Sequence, residues 1–275
     1  PLHIGDVTIK AYVSQVNDYL EIDGIDLTTS YGTTVPDFAF YNTKYEIKGL
    51  ESVIFAGNYA FAKVDSLVNI YLDKCAFIGV GAFSDCKNLE TVRFLTSDSP
   101  TPAAICGAAF AGCSKITDLV IPNYFDEFGM GAFAGLYNIN SLSIPFIGLE
   151  NKTSSDERQY PLGALFSSPG VSSGEKTELE VYQEYYKNSA TTLTGEYFYI
   201  PSSLKHVSVT SQEELLTGSL MNIKLDSLTI NADCLKLNNN YNISGDSLIK
   251  HFVYRGTLAK WFTAEIVGLT YTGDY

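Results

Sequence analysis

Gly81-Ala82-Phe83-Ser84-Asp85-Cys86-Lys87-Asn88-Leu89-Glu90-Thr91-Val92-Arg93-Phe94 sets the architecture of this chain, because the same grammar returns from Gly131 to Pro145. An Ala-Phe pair comes first. Six residues after the Phe, an apolar anchor opens a segment reading apolar-x-x-apolar-x-apolar. The pair also stands at Ala39-Phe40, Ala60-Phe61, Ala109-Phe110 and Ala132-Phe133. A phrase repeated every 20-odd residues marks stacked repeats, since a unit of that size buries its apolar face only against a neighbour.

Aligned on the anchor, the segments begin at Leu50, Leu67, Leu89, Ile116 and Ile139, then after a gap at Leu204, Leu225 and Ile249. The last three positions of each alternate with period two, as in Val92-Arg93-Phe94, so each copy predicts one strand with one buried face. About eight such rungs in a parallel ladder would span roughly 35–40 Å. Upstream of Ala-Phe, Ile78-Gly79, Ile105-Cys106 and Phe128-Gly129 mark a further inward slot on the returning chain. Ala fits where adjacent coils approach closely, and Gly serves turns that need positive φ. The expected fold is thus a β-rich repeat solenoid. Residues 31–166 make a first block, and residues 199–275 a second block with a C-terminal segment. Residues 1–30 lack Ala-Phe but alternate, as in Val7-Thr8-Ile9-Lys10-Ala11-Tyr12-Val13, and read as an N-terminal β cap over the open core.

The pattern Ile-Gly-x-x-Ala-Phe-x-x-Cys-x-x-Leu-x-x-Val-x-Ile-Pro resembles the BspA-like leucine-rich repeat family. It is clearest from Ile78 to Phe94, Ile105 to Pro122 and Phe128 to Pro145. Tyr199 to Thr210 and Tyr254 to Trp261 look like further segments of bacterial members. The resemblance implies a leucine-rich-repeat right-handed coil. It also implies a secreted or surface-anchored protein associated with adhesion and with binding a host or bacterial surface protein or glycan. An alternative is a structural stalk that displays other domains of a longer surface protein. The chain begins with Pro1, which we read as a processed or trimmed start, and a full-length product could continue past Tyr275.

Chemistry is sparse. The formal charge of −13 argues against nucleic acid and anionic lipid as partners, and no apolar run is long enough to insert in a membrane. No phosphate-binding Gly loop and no metal-ligand spacing stands out, so no cofactor, metal or catalytic residue is expected and the chain reads as no enzyme. Gly170-Val171-Ser172-Ser173-Gly174 has the letters of a nucleophile elbow but lies in a Ser/Gly loop without a preceding strand. His206 and His251 fall two rungs apart, roughly 10 Å, too far to share one metal. Cys86 and Cys113 share a slot that Leu136 fills in another copy. Cys75 aligns with Phe125. These three read as buried free thiols, whereas Cys106 and Cys234 are less constrained.

Two surfaces remain as binding candidates. Outward strand positions, among them Ser52 and Ile54, Tyr71, Arg93, His206 and His251, would line one continuous face. Only Tyr71 and Arg93 are residue types that anchor interfaces. The second is the insertion 167–198, which turns acidic and tyrosine-rich and offers Tyr182, Tyr185 and Tyr186. It reads either as a recognition element or as a surface excursion packing its tyrosines on the solenoid flank.

Overall fold

The computed structural model describes residues 2–4, 7–16, 19–94, 103–151, 160–186, 192–215, 218–234, 236–238 and 249–267. They form a β-solenoid of about eight turns with parallel ladders. Helix is nearly absent: Leu258–Thr263 is the one α-helix among the described residues.

The coils carry two parallel ladders where one was expected. The front ladder holds Asp118–Val120, Ser141–Ile144, His206–Val209, Leu225–Ile230 and Ile249–Tyr254, with Asn69–Tyr71 and Thr91–Arg93 as a separate parallel pair on the same side. The long gap between repeat blocks does not interrupt it, because Ser141–Ile144 pairs directly with His206–Val209, Leu142 opposite Val207. The back ladder runs through the slot upstream of Ala-Phe: Thr33–Val35, Val53–Ala56, Phe77–Ile78, Ala104–Ile105 and Glu127–Phe128. Glu214–Leu215, Lys236–Asn238 and Glu265–Val267 form a separate three-stranded parallel sheet.

The first copy sits in a different frame from the one expected. Leu50–Ser52 is a 3-10 turn, and Val53–Ala56 already belongs to the back ladder, Phe55 opposite Phe77. Turn contacts reveal the frame. Ser66 Oγ donates to the Tyr45 carbonyl at 2.7 Å, as Asn88 Nδ2 does to Asp65 at 3.0 Å and Asn138 Nδ2 to Ser114 at 2.7 Å. Ile47 therefore takes the anchor slot of Leu67, and Leu50 the strand slot of Ile70. Ser52, expected to point outward, is buried, and its Oγ bonds the Thr29 N–H at 3.0 Å and the Thr29 carbonyl at 3.1 Å.

The Ala-Phe phrase is the axis of packing. Each Phe N–H donates to the next coil at the Ala slot: Phe40 to Ala60 at 2.8 Å, Phe61 to Ala82 at 2.8 Å, Phe83 to Ala109 at 2.8 Å and Phe110 to Ala132 at 2.9 Å. The rings form a spine, with centroids 5.4 Å apart for Phe40–Phe61, 5.0 Å for Phe61–Phe83, 5.4 Å for Phe83–Phe110 and 6.5 Å for Phe110–Phe133. Phe166 continues it at 6.4 Å from Phe133, with Leu165 in the Ala slot. Ser219-Leu220 fills the same position one coil further on, with both residues buried.

Sulfur belongs to this packing. Cys75, Cys86 and Cys113 are fully buried and free, as their slots imply. The thiol of Cys86 donates to the Phe61 carbonyl at 3.1 Å, and that of Cys113 to Phe83 at 3.0 Å. Cys234 is also buried, whereas Cys106 is partly exposed. Burial pushes the Cys75 and Cys234 thiols up to about 12. A hydrogen bond with Cys86, together with burial, raises Cys113. Native protein near neutral pH should therefore react with a disulfide reagent at Cys106 alone, and at all five cysteines in denaturant. Rapid labelling of a second thiol in the native state would contradict this packing. The raised thiols hold stability that is complete below the unfolded thiol pKa of about 8.5. It is lost as pH climbs through the folded values near 12.

Close approach of coils also explains a glycine column. A Cβ on Gly129 would lie 1.9 Å from Gly107 N, and one on Gly79 would lie 2.7 Å from Gly57 C. Gly129→Ala should lower stability by about 2 kcal/mol, read as a urea midpoint shift, because backbone rather than a mobile side chain blocks the methyl.

At the N-terminus, Leu2–Ile4, Val7–Val16 and Tyr19–Asp26 form an antiparallel meander. The last of these strands pairs parallel with Glu46–Lys48, Ile25 opposite Ile47. Ile25 and Leu27 join the same core as Phe40 and Leu50.

Candidate recognition surfaces

The front face is not continuous. Tyr71 and Arg93 lie opposite one another across the pair Asn69–Tyr71 and Thr91–Arg93, and both are exposed, Tyr71 by 45%. This pair forms a sheet of its own. Among the described residues, no backbone hydrogen bond joins it to Leu50–Ser52 on one side or to Asp118–Val120 on the other. A cleft flanks it on each side. One, of about 550 Å³, runs between the Leu50 turn and Tyr71. The other, of about 360 Å³, is lined by Arg93, Glu90, Thr117 and Asp118.

Each interruption has a local origin. The Leu50–Ser52 turn closes its own hydrogen bond, Ser52 N to Gly49 O at 3.0 Å, and Thr29 consumes the Ser52 hydroxyl, so no strand is offered to Asn69–Tyr71. The second break falls where the spacing between copies of the first block is longest, 27 residues from Val92 to Leu119. Lys115 bridges that step from the side, its Nζ 3.0 Å from Asn88 Oδ1 and 3.7 Å from Glu90 Oε1.

The rest of the front face is small and polar. The row Asp118, Ser141, His206, Ser227 and His251 runs across five rungs, so the two histidines do sit two rungs apart. His206 Nδ1 is 2.8 Å from Ser227 Oγ. This contact lies on an open sheet, and neither residue lines either of the two clefts. Among the described residues, no group of three or more His, Cys, Asp or Glu could hold a metal, and no helix is long and apolar enough to cross a membrane. Ser172, in the elbow-like letters, donates to Glu178 Oε2 at 3.0 Å, at the start of the strand that follows its loop.

The insertion folds as an antiparallel hairpin, Glu178–Tyr186 with Leu193–Pro201. Its inner face is core: Val181, Gln183, Tyr185, Phe198 and Ile200 are buried. Tyr185 is therefore not a surface contact. Its ring packs against Tyr160 and Phe198 at 5.0 and 5.9 Å, and its hydroxyl donates to Glu196 Oε2. Burial, reinforced by that carboxylate, raises the phenol. Tyr182 falls on the outer face, where register places Tyr197 opposite it and Tyr199 opposite Glu180. The Tyr182 and Tyr197 rings meet edge to face at 5.2 Å. The backbone of Tyr186 pairs with Leu193, and its side chain lies outside the described residues.

A profile of the BspA type leucine-rich repeat region matches the chain at residues 99–154, with six copies. The repeats within residues 99–154 are of the BspA leucine-rich type. In comparisons with curated proteins and with solved structures, nothing matches. The repeating coil accounts for the Phe spine, the Cys slot and the glycine column. Tyr71, Arg93 and the outer hairpin face lie outside those packing slots.

Sequence reasoning missed two features. Tyr197 and Tyr199 were findable from strand alternation, because they keep step with Tyr182 once Val181 and Phe198 are set inward. An exposed aromatic cluster at the first turns of the coil was not. Phe38 and Tyr59 occupy the left-handed position that Gly81 and Gly131 fill elsewhere, with φ 59 and 54 against 60 and 66. Their rings stack at 5.1 Å, and Tyr41 meets Phe38 edge-on at 5.9 Å. Bulky residues seldom adopt positive φ, so nothing in a sequence pattern led there.

Proposed function

We propose that the protein is a nonenzymatic recognition module working outside the cell or on its surface, which binds a protein or glycan through the Tyr71–Arg93 patch. The observation that carries this reading is the pairing of those two side chains on an isolated strand pair with a cleft on each side. Tyr supplies rigid amphipathic area and Arg a planar fork of donors, and such residues dominate interface energetics when surrounding contacts exclude water. The BspA-type repeat suggests a surface repeat protein, and a leucine-rich solenoid is typically a nonenzymatic scaffold.

An array of extracellular-matrix proteins and glycans tests this reading. For any component that binds, Tyr71→Ala and Arg93→Ala should each weaken affinity by roughly tenfold or more, with unchanged melting. A second reading, a stalk that only displays other domains, is favoured by the small, polar remainder of the front face, such as Ser141, Ser143, Ser208 and Thr229. It predicts that nothing on the array binds, or that both substitutions are silent.

A further inference from the structure

The outer face of the hairpin lies outside the core, with Glu178 at its edge accepting from Ser172 Oγ at 3.0 Å. Its inner face is in the core, and both long edges are covered over part of their length. Gly170 N donates to Tyr197 O at 2.7 Å and Tyr199 N to Ser167 Oγ at 2.8 Å, while Asn222 Nδ2 donates to Tyr182 O at 2.7 Å on the other edge. A partner cannot extend this sheet along those stretches by adding a strand. It must lie across the face and be read by side chains.

Those side chains are set in advance. The Tyr182 ring lies across the opposite strand over Gly195, where a Cβ would sit 1.7 Å from the Tyr182 hydroxyl oxygen. Gly195 lacks positive φ, so a methyl added there would act on the Tyr182 ring, displacing its hydroxyl end. Tyr197, 51% exposed, stands edge to face against it. The Tyr199 hydroxyl donates to Glu180 Oε1 at 2.6 Å, fixing both groups. Glu178, Glu180 and Glu184 share the face with the three tyrosines, and neither strand contains a Lys or Arg.

We propose that this face docks an extended, arginine-rich segment of a protein partner. Aromatic faces attract guanidinium groups, and carboxylates take their N–H forks in bidentate contacts, so one surface offers both halves of Arg recognition. A fixed platform also binds at lower entropic cost than a mobile loop. The charge is complementary, since the chain itself carries −13. This site is separate from the Tyr71–Arg93 patch and does not rest on it.

The test uses the full chain and a short labelled peptide of alternating Arg and Ser, with a Glu-Ser peptide as control, read by fluorescence anisotropy near physiological salt. The Arg peptide should bind and the control should not. Tyr197→Ala keeps every charge and should weaken binding by roughly tenfold. Glu184→Gln and Gly195→Ala should each weaken it several-fold, and Tyr71→Ala/Arg93→Ala should leave it unchanged. Absence of binding by the native chain overturns the proposal. So does equal binding by Tyr197→Ala and Glu184→Gln variants that melt with the parent, because the attraction would then be diffuse acidity.

Discussion

Phe83→Ala should destabilise the protein by about 3–5 kcal/mol, the range for truncating a buried aromatic ring. The ring is fully buried between Phe61 at 5.0 Å and Phe110 at 5.4 Å, both stacked within 6° of parallel. Removing it opens a void in the middle of the spine, and the backbone ladder from Phe83 N to Ala109 O resists collapse into it. Solenoid stability is nearly a sum of coil and interface terms, so the loss falls on two interfaces at once. Phe40→Ala, at the first coil, removes a ring with one spine neighbour and should cost less. Urea titrations of both variants measure the difference. A Phe83→Ala loss below about 1 kcal/mol would mean that the spine is not the main packing element.

Gln183→Leu should cost about 3 kcal/mol, although it exchanges a polar side chain for an apolar one in a buried site. Gln183 is fully buried in the hairpin. Its Oε1 accepts from Gly163 N at 2.9 Å, and its Nε2 donates to Met221 O at 3.1 Å and Ser219 O at 3.4 Å. The side chain thus joins the insertion to coils on both sides. Leu would leave the Gly163 N–H and the Met221 carbonyl without this partner, each at about 1–3 kcal/mol, whereas Ser219 O keeps its bond from Leu162 N. A cavity-neutral swap with little effect would show that the hairpin is only loosely attached. Limited proteolysis of the variant should cut near the hairpin before the coils.

The repeat reaches the fold through its least variable letters. Ala-Phe announces the spine because the pair recurs in five successive coils, from Phe40 to Phe133, and the Cys slot is legible because Leu136 can replace sulfur there. The back ladder was visible only as an inward slot. Strands of two residues, such as Phe77–Ile78, are too short to display period two. The frame of the first copy was lost because apolar residues satisfy both registers: Ile47, Leu50 and Val53 are all buried. Polar turn contacts, Ser66 to Tyr45 among them, decided between the two.

The candidate sites divide similarly. Tyr71 and Arg93 were legible as outward anchors on adjacent rungs, and the structure pairs them. The clefts beside them were not, since they depend on rungs failing to pair rather than on a side-chain pattern. In the insertion, composition pointed to tyrosines without their direction. Strand parity turns Tyr185 into the core and Tyr197 to the surface, a direction that follows once Val181 and Phe198 are set inward.

The central claim is that recognition is concentrated at the isolated strand pair. Amide hydrogen exchange of the chain, free and bound to whichever array component it captures, tests this directly. Protection should appear on binding at Ser66–Tyr71 and Glu90–Phe94, which line the two clefts, with little change over His206–Val209 and Leu225–Ile230. Protection confined to those later rungs, with Tyr71 and Arg93 unaffected, would contradict it.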